Sequence, residues 1–222
     1  MNDMLEVMKA RHSVRQYTDK AIEKEKRDVL NTLINEINRK ESLHIQVLYD
    51  EPECFDSFMA HYGKFSGVRN YITLIGKKSS DLDEKIGYFG EEIVLKAQML
   101  GLNSCWVAMT HGKSRAIINK GEKLVCLIAL GYGVTNGVAH TSKPLSKLCD
   151  VSDNNIPDWF KKGMEASSLA PTAMNQQKFR FELSKDGTVR LTCQSGFYTK
   201  LDKGIVRYHF EAVSGRKVTE EK

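Results

Sequence analysis

Leu124 to Leu130 reads L-V-C-L-I-A-L, seven apolar residues without a break. A strand with one wet face alternates, so this run predicts a strand buried on both faces, ending in Gly131-Tyr132-Gly133. Tyr71 to Ile75 is a second, mostly apolar strand and should be central. Between them, Gly87 to Leu100 has helical spacing: Phe89, Ile93, Ala97 and Leu100 form an inward stripe, and Gly101 stops the helix. Buried strands mixed with amphipathic helices predict an α+β (mixed α/β) protein.

The rest of the chain fills in that outline. Asn2 or Asp3 caps a short first helix with Leu5 and Met8 on its apolar face. Ser13 to Tyr17 should leave it extended. A second helix is expected from Glu23 to Asn38, with Val29, Leu30, Leu33, Ile34 and Ile37 on one side. Leu43 to Tyr49 alternates and reads as a strand. Glu51 to Arg69 reads as irregular and aromatic, and Ser104 to Met109 as a short buried segment. Residues 134–156 form a polar connection, dividing the chain into 1–150 and 151–222. Beyond it a helix should run from about Pro157, in its first turn, to Leu169. Phe179–Leu183 and Val189–Cys193 flank Asp186-Gly187 as a hairpin, and a last helix starts near Asp202. Gly90–Gly101 and Gly204–Gly215 are both helical stretches bracketed by glycines eleven apart, a faint internal repeat.

Composition narrows the function classes. The net charge of +5 is spread, +2 over residues 1–150 and +3 over 151–222, whereas nucleic-acid binding calls for a basic stripe. The five cysteines, at 54, 105, 126, 149 and 193, have no CxxC spacing, which fits the reducing cytoplasm better than a disulfide scaffold. The N-terminal segment is acidic and amphipathic, so no signal peptide is expected, and no apolar run has bilayer-spanning length. The six histidines show no ligand spacing, so no metal site is expected. No G-x-G-x-x-G helix opening, phosphate-binding P-loop or G-x-S-x-G nucleophile turn is present.

Two short stretches carry chemistry. In A-R-H-S-V-R-Q-Y, residues 10–17, Arg11, Ser13 and Arg15 lie at alternate positions and would share one face of an extended segment. Two guanidinium forks and a hydroxyl suit the oxygens of a phosphate monoester, and His12 adds a ring donor. A solvated basic turn after a helix reads the same pattern without a ligand. In A-P-T-A-M-N-Q-Q, residues 170–177, the carboxamides of Asn175 and Gln177 offer donors and acceptors for the edge of a flat heterocycle. An ordinary loop with Asn and Gln as turn formers is the competing reading.

Together these stretches resemble the FMN-dependent nitroreductase family. R-x-S-x-R-x-[FY] after an N-terminal helix is similar to the family's opening motif, and P-T-A-M-N-Q-Q-K-F to its P-S-x-x-N-x-Q-P-W. The resemblance implies that Arg11, His12 and Ser13 bind the FMN phosphate or ribityl chain. Arg15 would then stabilise charge at the flavin pyrimidine edge. Pro171, Thr172, Asn175 and Gln177 would grip the ring. Trp106, Val107 and Ala108 would border it, although core packing is the stronger reading for Trp106 itself. Lys143 resembles the family's late basic residue at the phosphate. Lys178 and Phe179 stand where the family usually has Pro and Trp, and the amide motif comes late in the chain. A subgroup in which one chain mimics the usual homodimer reconciles these departures. The implied fold has two half-domains with antiparallel-type sheets covered by helices, residues 1–150 with the phosphate motif and 151–222 with the ring motif.

The activity this implies is hydride transfer from NADH or NADPH to FMN and electron transfer on to a small organic acceptor such as a nitroaromatic, quinone or enone. The flavin would do the chemistry, so no catalytic side chain is required. Flavin binding without turnover is an alternative, as is a reduced-flavin and oxygen enzyme of the flavin-destroying or dehalogenating kind. A built-in pseudo-dimer permits a monomer and does not exclude a homodimer.

Overall fold

The computed structural model describes residues 3–150 and 156–219. Asn2 as a helix cap, and residues 151–155 of the polar connection, lie outside the described residues. By contact the chain forms two compact units: one from residues 10–82 and 93–139, the other from 1–9, 83–92 and 140–222. Each draws on separated stretches, so the units do not follow a single cut near residue 150.

The first unit is built on a four-stranded sheet of order β1-β2-β4-β3, antiparallel throughout. Its strands are β1 (Gln46–Leu48), β2 (Asn70–Lys77), β3 (Asn103–Val107) and β4 (Glu122–Gly131). The two apolar runs are its central pair: β2 is buried from Asn70 to Gly76 and β4 from Val125 to Gly131. Tyr71 faces Ala129 and Thr73 faces Leu127 in their register. The strand expected over Leu43–Tyr49 pairs regularly only at β1. Before it, Leu43 bridges Gly76 in the same register and His44 N donates to Ile75 O (2.9 Å), while the Asn38 carboxamide binds both backbone groups of Ile45, at 2.8 Å each, on the outer edge. Helix α2 (Lys24–Glu41) buries Leu30, Ile34 and Ile37, while Val29, expected inward, is exposed. The segment expected to be irregular carries a short helix, α3 (Phe58–Tyr62), because the Ser57 hydroxyl caps it by accepting from Ala60 N.

The second unit holds α5 (Leu145–Leu148), α6 (Asp158–Ser168), the antiparallel hairpin β5 (Phe179–Leu183) and β6 (Val189–Cys193), and α7 (Thr199–Ser214). Helix α5 lies inside the stretch read as polar connection. Pro157 is not in the first turn of α6. It has extended backbone (ψ 143°) and occupies the cap position, with Asp158 the first helical residue. The core is aromatic: Phe181 stacks on Phe210 at 4.7 Å and Phe160 meets Phe210 edge-on at 5.6 Å.

Within this unit, residues 83–92 of α4 (Leu82–Met99) cross α7 at two glycines. A Cβ on Gly87 would lie 2.1 Å from Leu201 O, and one on Gly204 would lie 1.9 Å from Glu84 O. The contacts are reciprocal, each residue of one helix meeting the counterpart of its own partner 117 positions away, as at a two-fold axis. The structural repeat therefore aligns Gly204 with Gly87, not with Gly90 as glycine spacing suggested. The short α3 aside, the order helix, strand, strand, helix recurs as α2-β1-β2-α4 and α6-β5-β6-α7. Beside the crossing, His209 Nδ1–H donates to Ala166 O at 2.9 Å, and Nε2 shares a proton with fully buried Glu91 at 2.9 Å.

Candidate functional site

The basic stretch follows α1 (Met4–Ala10) in the first unit. It pairs with its neighbours one residue at a time. Val14 N donates to Ser104 O (3.0 Å), Ser66 N to Arg15 O (3.0 Å) and Tyr17 N to Ser66 O (3.0 Å). The Tyr17 hydroxyl donates to Val14 O at 2.8 Å. No continuous ladder forms. Burial falls on Arg11, Val14 and Tyr17, Ser13 is half-buried, and Arg15 is exposed. Burial across Arg11, Ser13 and Arg15 is therefore graded rather than uniform. All three act on the buried Cys105 thiol, Ser13 by a hydrogen bond and Arg15 and Arg11 by their charge. Burial pushes that thiol up despite Arg15, Ser13 and Arg11.

The backbone at His12 to Val14 is held against two glycines. A Cβ on Gly137 would come 2.9 Å from His12 Cβ and 3.1 Å from Ser13 O; one on Gly133 would come 2.8 Å from Val14 Cγ1. His12 Nδ1–H donates to Asn136 O at 3.2 Å, which leaves Nε2 for other partners. Trp106 and Val107 end β3, with Val107 buried, Trp106 half-buried and Ala108 following at its end.

The carboxamide loop lies in the second unit, between α6 and β5. A 3-10 turn, Ala173–Asn175, bends it, and Met174, Asn175 and Gln177 all have positive φ (51°, 53° and 44°). Each non-glycine residue held there costs about 1 kcal/mol or more, least for Asn. A dense polar network offsets that strain. Gln177 Nε2 donates to Thr141 O (2.9 Å) and Asn175 Oδ1 (2.8 Å), while its Oε1 accepts from Lys143 N (2.7 Å). Gln177 N donates to the Thr172 hydroxyl (3.1 Å). The Lys143 ammonium donates to Gln176 O (2.8 Å) and Gln177 O (3.0 Å). Lys143, Thr172, Asn175 and Gln177 are thus brought together, with Pro171 at the start of the loop. Gln177 is 4% exposed and its carboxamide is spent inside the network, so it positions the loop. Asn175 is exposed and keeps one N–H and one acceptor lone pair after donating to Thr141 O (3.0 Å).

Asp202 was not singled out in the sequence. From α7 it accepts from Ala173 N (2.9 Å) and Gln176 Nε2 (2.7 Å). Burial raises its carboxyl to about 6; those two hydrogen bonds pull the other way without cancelling it. A carboxyl raised on folding favours the folded state most below its unfolded pKa, and that advantage fades as pH rises through the folded value. Stability should fall between about pH 4 and pH 6 relative to Asp202→Asn, whose profile lacks this step. Urea midpoints across that range check it, and parallel profiles for the two proteins would contradict it.

The antiparallel sheets, their helices and the placement of a carboxamide loop between helix and hairpin define a mixed α+β protein of nitroreductase fold. The family described as "Putative TM nitroreductase" matches residues 3–214, and the chain belongs to that family. A "putative nitroreductase" from Thermotoga maritima superposes with a TM-score of 0.69 at 20% identity, over 99% of this chain and 89% of that one. A nitroreductase in complex with FMN from Desulfovibrio desulfuricans has a TM-score of 0.53 at 19% identity, over 71% of this chain and 99% of that one. A protein named NADH dehydrogenase/NAD(P)H nitroreductase from Parabacteroides distasonis has 0.52 at 19%, over 70% and 100%. No curated protein sequence matches the chain. Among the described residues, no helix is long and apolar enough to cross a membrane.

Proposed function

We propose that the chain is an FMN-dependent oxidoreductase that takes hydride from NADH or NADPH and passes electrons to a small organic acceptor. Membership of the nitroreductase family over residues 3–214 is the observation that carries this reading. The Desulfovibrio relative binds FMN, and the Parabacteroides relative is named for NAD(P)H.

The residues present fit the group. Arg11, His12 and Ser13 would hold the phosphate, on a backbone pinned by Gly133 and Gly137, where a Cβ would fill the space. Arg15, over the Phe65 ring at 5.9 Å, would face developing negative charge. Trp106, Val107 and Ala108 would border the ring. Asn175 would offer its remaining donor and acceptor to a heterocycle edge, with Pro171 and Thr172 beside it and Gln177 and Lys143 fixing the loop. FMN, when bound, accepts a hydride and releases electrons to an acceptor, which is why no side-chain acid or base is needed. Residues 151–222 would take the place of a partner subunit for residues 1–150. The repeated helix-strand-strand-helix order and the reciprocal Gly87/Gly204 crossing support that reading.

The purified protein should be yellow. Its flavin absorbance should bleach with NADH or NADPH under anaerobic conditions and return on adding a nitroaromatic. A flavin that stays oxidised with both donors would leave flavin binding without turnover. Loss of the chromophore under reductant and air would mark a flavin-destroying enzyme.

A further inference from the structure

The β5–β6 hairpin turns Phe179, Phe181, Val189 and Leu191 into the core of the second unit. Its other face carries Lys178 and Arg180 on one strand and Thr192 and Gln194 on the other, with Arg180 directly opposite Thr192. Lys143 and Lys147 wall a cavity of about 510 Å³ over this face. That volume lies within the range of small-molecule sites.

Four cations therefore surround one concavity. Lys143 is a fixed charge, because its ammonium is spent on the Gln176 and Gln177 carbonyls. Arg180 pairs with Asp150 and also donates to Lys147 O at 3.2 Å. Lys147 and Lys178 have no carboxylate within ion-pair distance among the described residues. Half-buried Lys178 lies beside Gly196, where a Cβ would come 3.1 Å from Nζ. Gathering like charges around one pocket costs free energy, and a polyanion in the pocket recovers it. A single phosphate is the group proposed for the Arg11 cluster. This second set has two ammoniums without a carboxylate partner among the described residues and two anchored cations, which suits a ligand with two phosphoryl groups.

We propose that this cavity binds a diphosphate, and that in the FMN-loaded protein it holds the diphosphate of the nicotinamide donor. The second half of that statement rests on the oxidoreductase reading above; the first does not. The carboxamide loop and the cavity share Lys143 and Gln177, so a diphosphate held here lies next to the loop proposed to grip the flavin.

The test uses the full chain saturated with FMN. Pyrophosphate should raise the melting temperature beyond the effect of potassium chloride at matched ionic strength, without displacing flavin. The double variant Lys147→Gln, Lys178→Gln should weaken pyrophosphate about tenfold or more. It should also raise KM for NADH or NADPH by a similar factor, more than it lowers kcat, with flavin absorbance retained. Equal stabilisation by matched chloride, or unchanged pyrophosphate affinity in the variant, would overturn the anion site. So would release of FMN by pyrophosphate, since the cavity would then belong to the flavin phosphate. Pyrophosphate binding with an unchanged KM would overturn the donor assignment alone. Failure of the flavin reading would show instead as a colourless protein.

Discussion

Gly204→Ala should destabilise the protein by about 3 kcal/mol or more. The added Cβ falls 1.9 Å from Glu84 O and 2.7 Å from Tyr88 N, both backbone atoms of the facing helix. A side-chain clash relaxes by rotation; a clash with a helix backbone relaxes only if the whole helix moves. That movement would also strain the neighbouring His209–Glu91 hydrogen bond, in which both side chains are fully buried. Gly87→Ala should behave alike, since its Cβ meets Leu201 O at 2.1 Å. Denaturation midpoints of the two variants check both crossing glycines. Small losses in both would mean that the helices do not cross there.

The second large effect concerns ligand affinity. Arg11→Ala should weaken FMN binding by about 1–3 kcal/mol, roughly ten- to a hundredfold. Arg11 is 3% exposed, so its charge acts in a medium where water screens it poorly. Removing an exposed guanidinium such as Arg15 should cost less in phosphate affinity. Fluorescence titration of FMN checks both, with the flavin-free protein's melting temperature as the control for folding. Arg11→Ala with unchanged affinity would place the phosphate elsewhere.

Much of the scaffold was legible because its signals are local. The unbroken apolar run at Leu124–Leu130 demanded a strand buried on both faces, and it is a central strand of the sheet. The hairpin strands Phe179–Leu183 and Val189–Cys193 were bounded correctly because alternation and a turn signal agree there. What escaped was set by partners distant in sequence. Asn38 caps the outer edge of the strand expected over Leu43–Tyr49 by bonding Ile45, and no pattern within the strand announces it. Asp202 organises the carboxamide loop across 26 and 29 residues of chain, so in sequence it reads as an ordinary first-turn acid. Lys143 resembled a phosphate ligand, yet its ammonium is aimed at the carbonyls of Gln176 and Gln177. Spacing also misjudged the repeat, because it counts glycines without showing which one faces a neighbouring helix.

The most direct test of the account measures dissociation constants for FMN and for riboflavin, which lacks the phosphate, in the wild type, Arg11→Ala and Asn175→Ala. Arg11→Ala should weaken FMN and leave riboflavin nearly unchanged. Asn175→Ala, at an exposed position, should weaken both by a similar factor. Riboflavin affinity that falls with Arg11→Ala as far as FMN affinity does, or an Asn175→Ala protein that binds both like the wild type, would contradict the division of labour between the early arginines and the late carboxamides.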